Sequence, residues 1–151
     1  MMKIYNLKDK LNYLKEVMEL EYNEWASNPS FDKENRINRK IDKYYKNIND
    51  IYFCKLILLD NDNLVGFISI FPHDCDLEYD LTPWYATMFV KCEYRGKGYS
   101  KILNDAILKE ARKRNIKELY LKTDLINYYE KFGAQFVKKL KTNEKIFKFI
   151  L

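Results

Sequence analysis

The chain has 151 residues, of which 47% are apolar and 16% aromatic; that composition excludes a disordered polymer and can fill the core of one domain spanning 1–151. No apolar run approaches the roughly 20 residues that a membrane-spanning helix needs, so no membrane association is expected. The formal charge of +5, from 27 Lys and Arg against 22 Asp and Glu, suits an anionic ligand without naming one.

Residues 3–7, "KIYNL", mix β-branched and aromatic side chains and predict a short first strand. Asn6 then suits a helix cap, with Asp9 in the first turn near the positive end of the dipole. Leu11, Leu14, Met18, Tyr22 and Trp25 recur at helical spacing and predict one apolar stripe, which "SNPS" at 27–30 ends. A second helix follows, with Ile37, Ile41, Tyr44, Tyr45 and Ile48 on one face. "IYFCKLILL" at 51–59 and "LVGFISIF" at 64–71 predict a hairpin around the polar turn "DNDN". An acidic loop, 72–83, leads to "WYATMFVK" at 84–91, apolar enough for the centre of a sheet. A helix from about Tyr99 to Arg114 carries Ile102, Leu103, Ala106, Ile107 and Ala111 inward, with Arg112, Lys113 and Arg114 in its last turn and Asn115 as its cap. "KELYLKT" at 117–123 is a further strand, "LINYYEKFG" at 125–133 a short helix, and "AQFVKKLK" with "KIFKFIL" a closing hairpin. The order β-α-α-β-β-β-α-β-α-β-β predicts a mixed α/β fold.

The three cysteines, Cys54, Cys75 and Cys92, are odd in number and lack a CxxC pair, so they read as reduced thiols of a cytoplasmic protein. "MMKIYNLKDKL" has no apolar core followed by small residues, and no secretory leader is expected. His73, the only histidine, stands beside Asp74, Cys75 and Asp76. Contiguous residues of an extended loop converge poorly on one ion, and no metal is expected there.

The chain has only four glycines and places two, Gly96 and Gly98, in "EYRGKGYSKIL" at 93–103. The first amides of a helix have no internal partner and carry partial positive charge. A glycine turn before them lets several N–H groups face one anion, and Arg95 and Lys97 add positive charge. The bland alternative is a strand-to-helix turn that needs only positive φ. "RGKGYSK" lacks the spacing of G-x-x-x-x-G-K-[ST], and G-x-G-x-x-G fails at Lys101. A diphosphate held by backbone, as in coenzyme A, fits best.

"MFVKCEYRGKGYSKIL" resembles motif A of the GNAT N-acetyltransferase superfamily, a central strand followed by [RQ]-x-x-G-x-[GA], with Arg95, Gly98 and Ser100 on the defined positions. Ser100 stands where the family usually has Gly or Ala. "NYYEKFGAQF" resembles the family's tyrosine segment, with Tyr129, Glu130, Lys131 and Gly133 in register and Ala134 replacing an aromatic residue. "LTPWYATMFV" resembles a bacterial subgroup with Pro-Trp before the motif A strand. The resemblance spans essentially the whole chain. It implies the GNAT fold, a mixed and mostly antiparallel sheet flanked by helices.

The resemblance further implies transfer of an acetyl group from acetyl-CoA, as co-substrate, to a primary amine of a small molecule or peptide by direct attack in a ternary complex. In the family the motif A strand splays from its neighbour and frees backbone groups. The N–H of Met88 or of Val90 is then the donor to the thioester oxygen. Met88, Phe89, Val90, Arg95, Gly96, Lys97, Gly98, Tyr99, Ser100 and Tyr129 would hold the coenzyme. Tyr129 matches the general acid that protonates the departing thiolate, although it is also one of 13 tyrosines and could simply pack a helix. Loop 74–80, with four carboxylates in seven residues, offers Glu78 and Asp80 as bases and would attract a cationic acceptor, or is merely a solvated loop. Trp84 either walls the acceptor pocket or fills the core. Many relatives pair, so a homodimer is compatible with the resemblance. The alternative is a coenzyme-binding module of the same fold without catalysis. A nucleic-acid binder is not expected, because no helix-turn-helix or RNP pattern is present.

Overall fold

In the strands, alternation divides the side chains between two faces. The computed structural model describes residues 1–151. Strand β1 (Met2–Asn6) pairs antiparallel with β2 (Cys54–Asp60), which pairs antiparallel with β3 (Asn63–Phe71), and β3 with β4 (Trp84–Val90). Strand β5 (Glu118–Thr123) runs parallel to β4 and antiparallel to β7 (Lys145–Ile150), whose other neighbour is the edge strand β6 (Gln135–Lys139). The result is one seven-stranded sheet in the order β1-β2-β3-β4-β5-β7-β6. Helices α1 (Leu14–Glu21) and α2 (Lys33–Asn47) cover one face, and α3 (Tyr99–Lys113) the other. Along β2, Cys54, Leu56 and Leu58 point into the α3 core with Leu103, Ile107 and Ala111, whereas Ile57 and Leu59 meet Leu14, Val17 and Ile37 on the α1 and α2 side. The expected mixed α/β fold is present, and no helix is long and apolar enough to cross a membrane.

Several local differences have identifiable causes. Asp60 pairs with Asn63, so the first hairpin turns on Asn61 and Asp62 alone, with Asn61 at φ 53° as a two-residue turn demands. The predicted first helix is broken. Asn6 caps only a 3₁₀ turn over Leu7–Asp9, and a second such turn, Leu11–Tyr13, precedes α1. A π-turn over Tyr22–Ala26 follows α1, changes the helical phase, and lifts Trp25 out of the stripe to 51% exposure. Leu11 and Ile102 are also exposed, and Asn104 and Leu108 complete the buried face of α3. Asn115, at φ 60°, ends α3 in the left-handed conformation. The helix expected over 125–133 is a single 3₁₀ turn, Tyr129–Phe132. Thr123 Oγ1 accepts from the Leu125 N–H at 3.0 Å and Asn127 sits at φ 56°, two features that prevent a helix from starting earlier.

Gly66 of β3 is required by a close approach. A Cβ there would press on the carbonyl oxygen of Phe89 in β4 and stand 3.2 Å from Leu103 Cδ1 in α3. Gly66→Ala is expected to cost about 1–3 kcal/mol by overpacking, seen as a drop of several degrees in Tm in a thermal melt.

Candidate active site

Strands β4 and β5 share one register pair, Trp84 with Tyr120, supported by a 3.0 Å bond from the Tyr120 N–H to the Pro83 carbonyl. Beyond that rung they diverge and leave a notch in the middle of the sheet. On the other side of β4, Phe89 pairs with Phe67 and Ala86 with Ser69, so Ile68 alone faces Thr87 and Met88. This is a β-bulge, and neither Thr87 nor Met88 has a register partner on either neighbour. Thr87 adopts φ 49°, a left-handed conformation that is strained for a β-branched residue. Of the two backbone donors expected, Met88 has no register partner, whereas Val90 stands opposite Gly66 and its carbonyl accepts from Arg95 Nε at 2.8 Å.

The chain leaves β4 through a 3₁₀ turn at Cys92–Tyr94 and reaches α3 with Gly96 at φ 76° and Gly98 at φ 83°. Gly98 is the N-cap of α3; no side chain caps that end, and no acidic residue lies in its first turn. The leading amides are thus available to an anion, as a diphosphate would require. The groove they border, about 520 Å³, is lined by Met88, Phe89, Val90, Arg95, Gly96, Gly98, Tyr99 and Ser100, together with Tyr128 and Tyr129. The Tyr128 hydroxyl and Ser100 Oγ lie 3.2 Å apart and tie the tyrosine turn to the cradle. Lys97 is exposed and is not among the lining residues, and Arg95 folds back towards Phe89.

The notch opens into a second compartment of about 800 Å³ between the π-turn and the ends of β4 and β5. Glu24, Met88, Leu125 and Tyr129 line both compartments and so mark their junction. Tyr129 packs edge-on against Tyr85 at 5.6 Å, and burial, with Tyr128 nearby, pushes its phenol up to about 12. The phenol is protonated throughout the physiological range. Five carboxylates, those of Glu21, Glu24, Asp74, Asp124 and Glu144, border this compartment against the ammonium groups of Lys40 and Lys122. Burial raises Asp74 to about 6; Lys122 opposes the rise and Glu144 adds to it.

Beneath the bulge lies a buried polar network. Lys55 of β2, only 2% exposed, places Nζ 2.6 Å from Glu21 Oε2 and 2.6 Å from Ser69 Oγ, while Ser69 Oγ and Thr87 Oγ1 are 2.6 Å apart. Lys40 reaches the other Glu21 oxygen at 3.5 Å. Burial alone would raise the Glu21 carboxyl, but Lys55 and Lys40 hold it below the usual range, so it is ionised. Glu21 Oε2 touches Lys55 as an ion pair at an angle too poor for a hydrogen bond.

The expected residues therefore divide. Met88, the cradle and Tyr129 come together. Glu78 is half-buried in an ion pair with Lys138, Asp80 is exposed, and neither lines the compartments. Asp74, at the start of the same loop, does. Trp84 is fully buried with Cys75, Leu140 and Ile146, its indole N–H donating to the Leu81 carbonyl at 2.7 Å, and belongs to the core. His73 stacks on Tyr79 at 4.4 Å, and all three cysteines are free. Sequence reasoning passed over Lys55, Glu21 and Glu24. The signal for Lys55 was a lone charge inside the apolar run "IYFCKLILL"; the two glutamates gave none, because helix carboxylates usually face water.

A model of the Acetyltransferase (GNAT) family matches residues 14–134. The chain belongs to this family. A search of proteins with curated descriptions finds no sequence match. Among solved structures, the chain resembles an acetyltransferase from Streptococcus agalactiae (19% identity, TM-score 0.65, covering 99% of this chain and 98% of the other). It also resembles the PaiA N-acetyltransferase of Thermoplasma acidophilum in complex with coenzyme A (19%, 0.68, 100% and 99%). A third is the spermidine/spermine N-acetyltransferase SpeG of Vibrio cholerae, solved in mutant forms (16%, 0.73, 99% and 95%). At these identities the likeness is one of fold.

Proposed function

We propose that the chain is an acetyl-CoA-dependent N-acetyltransferase acting on a primary amine, with a cationic small molecule or peptide as acceptor. The observation that carries this reading is the junction: Met88 and Tyr129 line both the groove bounded by the uncapped end of α3 and the acidic compartment beyond the notch. The α3 amides and Gly96–Ser100 bind the coenzyme diphosphate, which fixes the acetyl thioester in register and supplies proximity. The N–H of Met88, which has no register partner, donates to the thioester oxygen as negative charge develops there. Asp74 accepts the proton of the incoming ammonium through water, and the neutral nitrogen then forms the new C–N bond. As the C–S bond breaks, Tyr129 gives its proton to the sulfur, and the acylated nitrogen sheds its second proton, which restores the phenol and leaves a neutral amide. The excess of carboxylates favours a positively charged acceptor, and the likeness in fold to the PaiA and SpeG N-acetyltransferases supports the reading.

Calorimetry with CoA and a thiol-release assay over an amine panel test this together. Binding plus release with a cationic amine is the expected result; binding without release from any amine assigns a non-catalytic module, and no binding removes the proposal. Gly98→Ala should weaken CoA binding about tenfold, since Ala at φ 83° costs roughly 1–2 kcal/mol.

A further inference from the structure

The strained bulge in β4 needs something to hold it. Bulges that place their first residue in the left-handed region normally use glycine there, yet this one uses Thr87, at φ 49°. Burial of an ammonium is costly unless it is paired and fully hydrogen-bonded, yet Lys55 is 2% exposed beside a largely apolar cluster that includes Val17, Met18, Ile57 and Phe67. The two oddities meet. Ser69, which faces Lys55 in the β2–β3 register and Ala86 in the β3–β4 register, places one hydroxyl 2.6 Å from Lys55 Nζ and 2.6 Å from Thr87 Oγ1. Lys55 Nζ itself lies 3.4 Å from Thr87 Oγ1.

From this geometry we infer that Lys55, acting through Ser69, is a positioning residue that clamps Thr87 in its left-handed conformation and so aims the Met88 N–H at the reacting carbonyl. The inference rests on the acetyltransferase reading above. Lys55 lines neither of the two compartments; the Thr87 hydroxyl is gripped from below, and the backbone that follows it is held out of the ladder. Glu21 balances the charge from the α1 side at 2.6 Å. The same carboxylate borders the acceptor compartment, so acceptor side and bulge share one anchor.

Ser69→Ala cuts the hydroxyl link while leaving the Lys55–Glu21 ion pair intact. The expected result is a kcat lowered about ten- to hundredfold, as for a displaced reacting group, with the Kd for CoA unchanged within about twofold. Thr87→Gly in that background should recover most of the loss, because glycine holds positive φ without a clamp. Hydrogen exchange over 84–90 should rise about tenfold in Ser69→Ala and stay as in the parent over 99–113, a readout that requires no activity. If Ser69→Ala proves unfolded, Lys55→Met combined with Glu21→Gln removes both charges together and is read the same way. Unchanged exchange across 84–90, or a kcat loss that Thr87→Gly fails to recover, overturns the inference. Failure of the parent protein to bind CoA or release thiol would instead sink the acetyltransferase reading, with the exchange result still deciding whether the clamp exists.

Discussion

Replacing Tyr129 by phenylalanine is expected to lower kcat by about a hundredfold or more, the usual contribution of a positioned general acid, while the Kd for acetyl-CoA moves little. The ring itself is retained, so its edge-on contact with Tyr85 at 5.6 Å survives. Only the hydroxyl is lost from the junction of the two compartments. Tyr128→Phe is the matching control. Its hydroxyl meets Ser100 Oγ at 3.2 Å and its ring borders the proposed coenzyme groove but not the acidic compartment. It should therefore affect coenzyme affinity more than kcat. Steady-state kinetics with calorimetry on both variants checks this, and a Tyr129→Phe enzyme with parental kcat would remove the phenol from the mechanism.

Asp74→Asn is expected to produce the second large loss, about a hundredfold or more in kcat/KM at pH 7.5, and to abolish an acid limb in the pH profile. With its carboxyl raised to about 6, Asp74 is ionised and able to act as a base above that value and is silenced below it. The parental kcat/KM should thus fall as pH drops through about 6. The same shift has a stability sign. The folded value lies above the ordinary 3.8, so the native state binds this proton more tightly than the unfolded chain does. The group costs stability at neutral pH, and that cost disappears as pH falls from 6 towards 4. Discounted for partial exposure, the cost is about 1 kcal/mol. Asp74→Asn should therefore raise Tm at pH 8 by about 3 °C while it lowers activity. A variant that is both inactive and less stable would indicate a structural role instead.

Strands, the cradle and the tyrosine turn were legible because each is written locally. The apolar runs of β2, β3 and β4 have no rival reading, and glycines at 96 and 98 followed by a helix pattern have few. The proposed base was not legible. "DCDLEYD" announces carboxylates, but which one enters the cleft depends on Lys138, in β6, capturing Glu78. That partner lies far along the chain, and nothing local foretells it. The outward turn of Trp25 was hidden for a related reason: its spacing from Tyr22 is helical, and only the π-turn directs it outward to stand 6.3 Å from Phe89. Thr87 gave no warning at all, since a β-branched residue within a strand is the most ordinary of choices.

The solitary rung between Trp84 and Tyr120 makes the middle of the sheet a seam. Main-chain bonding does not close it; the fully buried indole of Trp84, 5.9 Å from the Tyr120 ring, and the core that Leu103 and Ile107 of α3 share with Leu119 and Leu121 of β5 hold the two flanks together. A molecule lying in the seam would add the bonds the strands lack and act as a staple, so that occupancy and cohesion rise together. The gap that would admit the reactants is thus also where main-chain bonding across the sheet is thinnest.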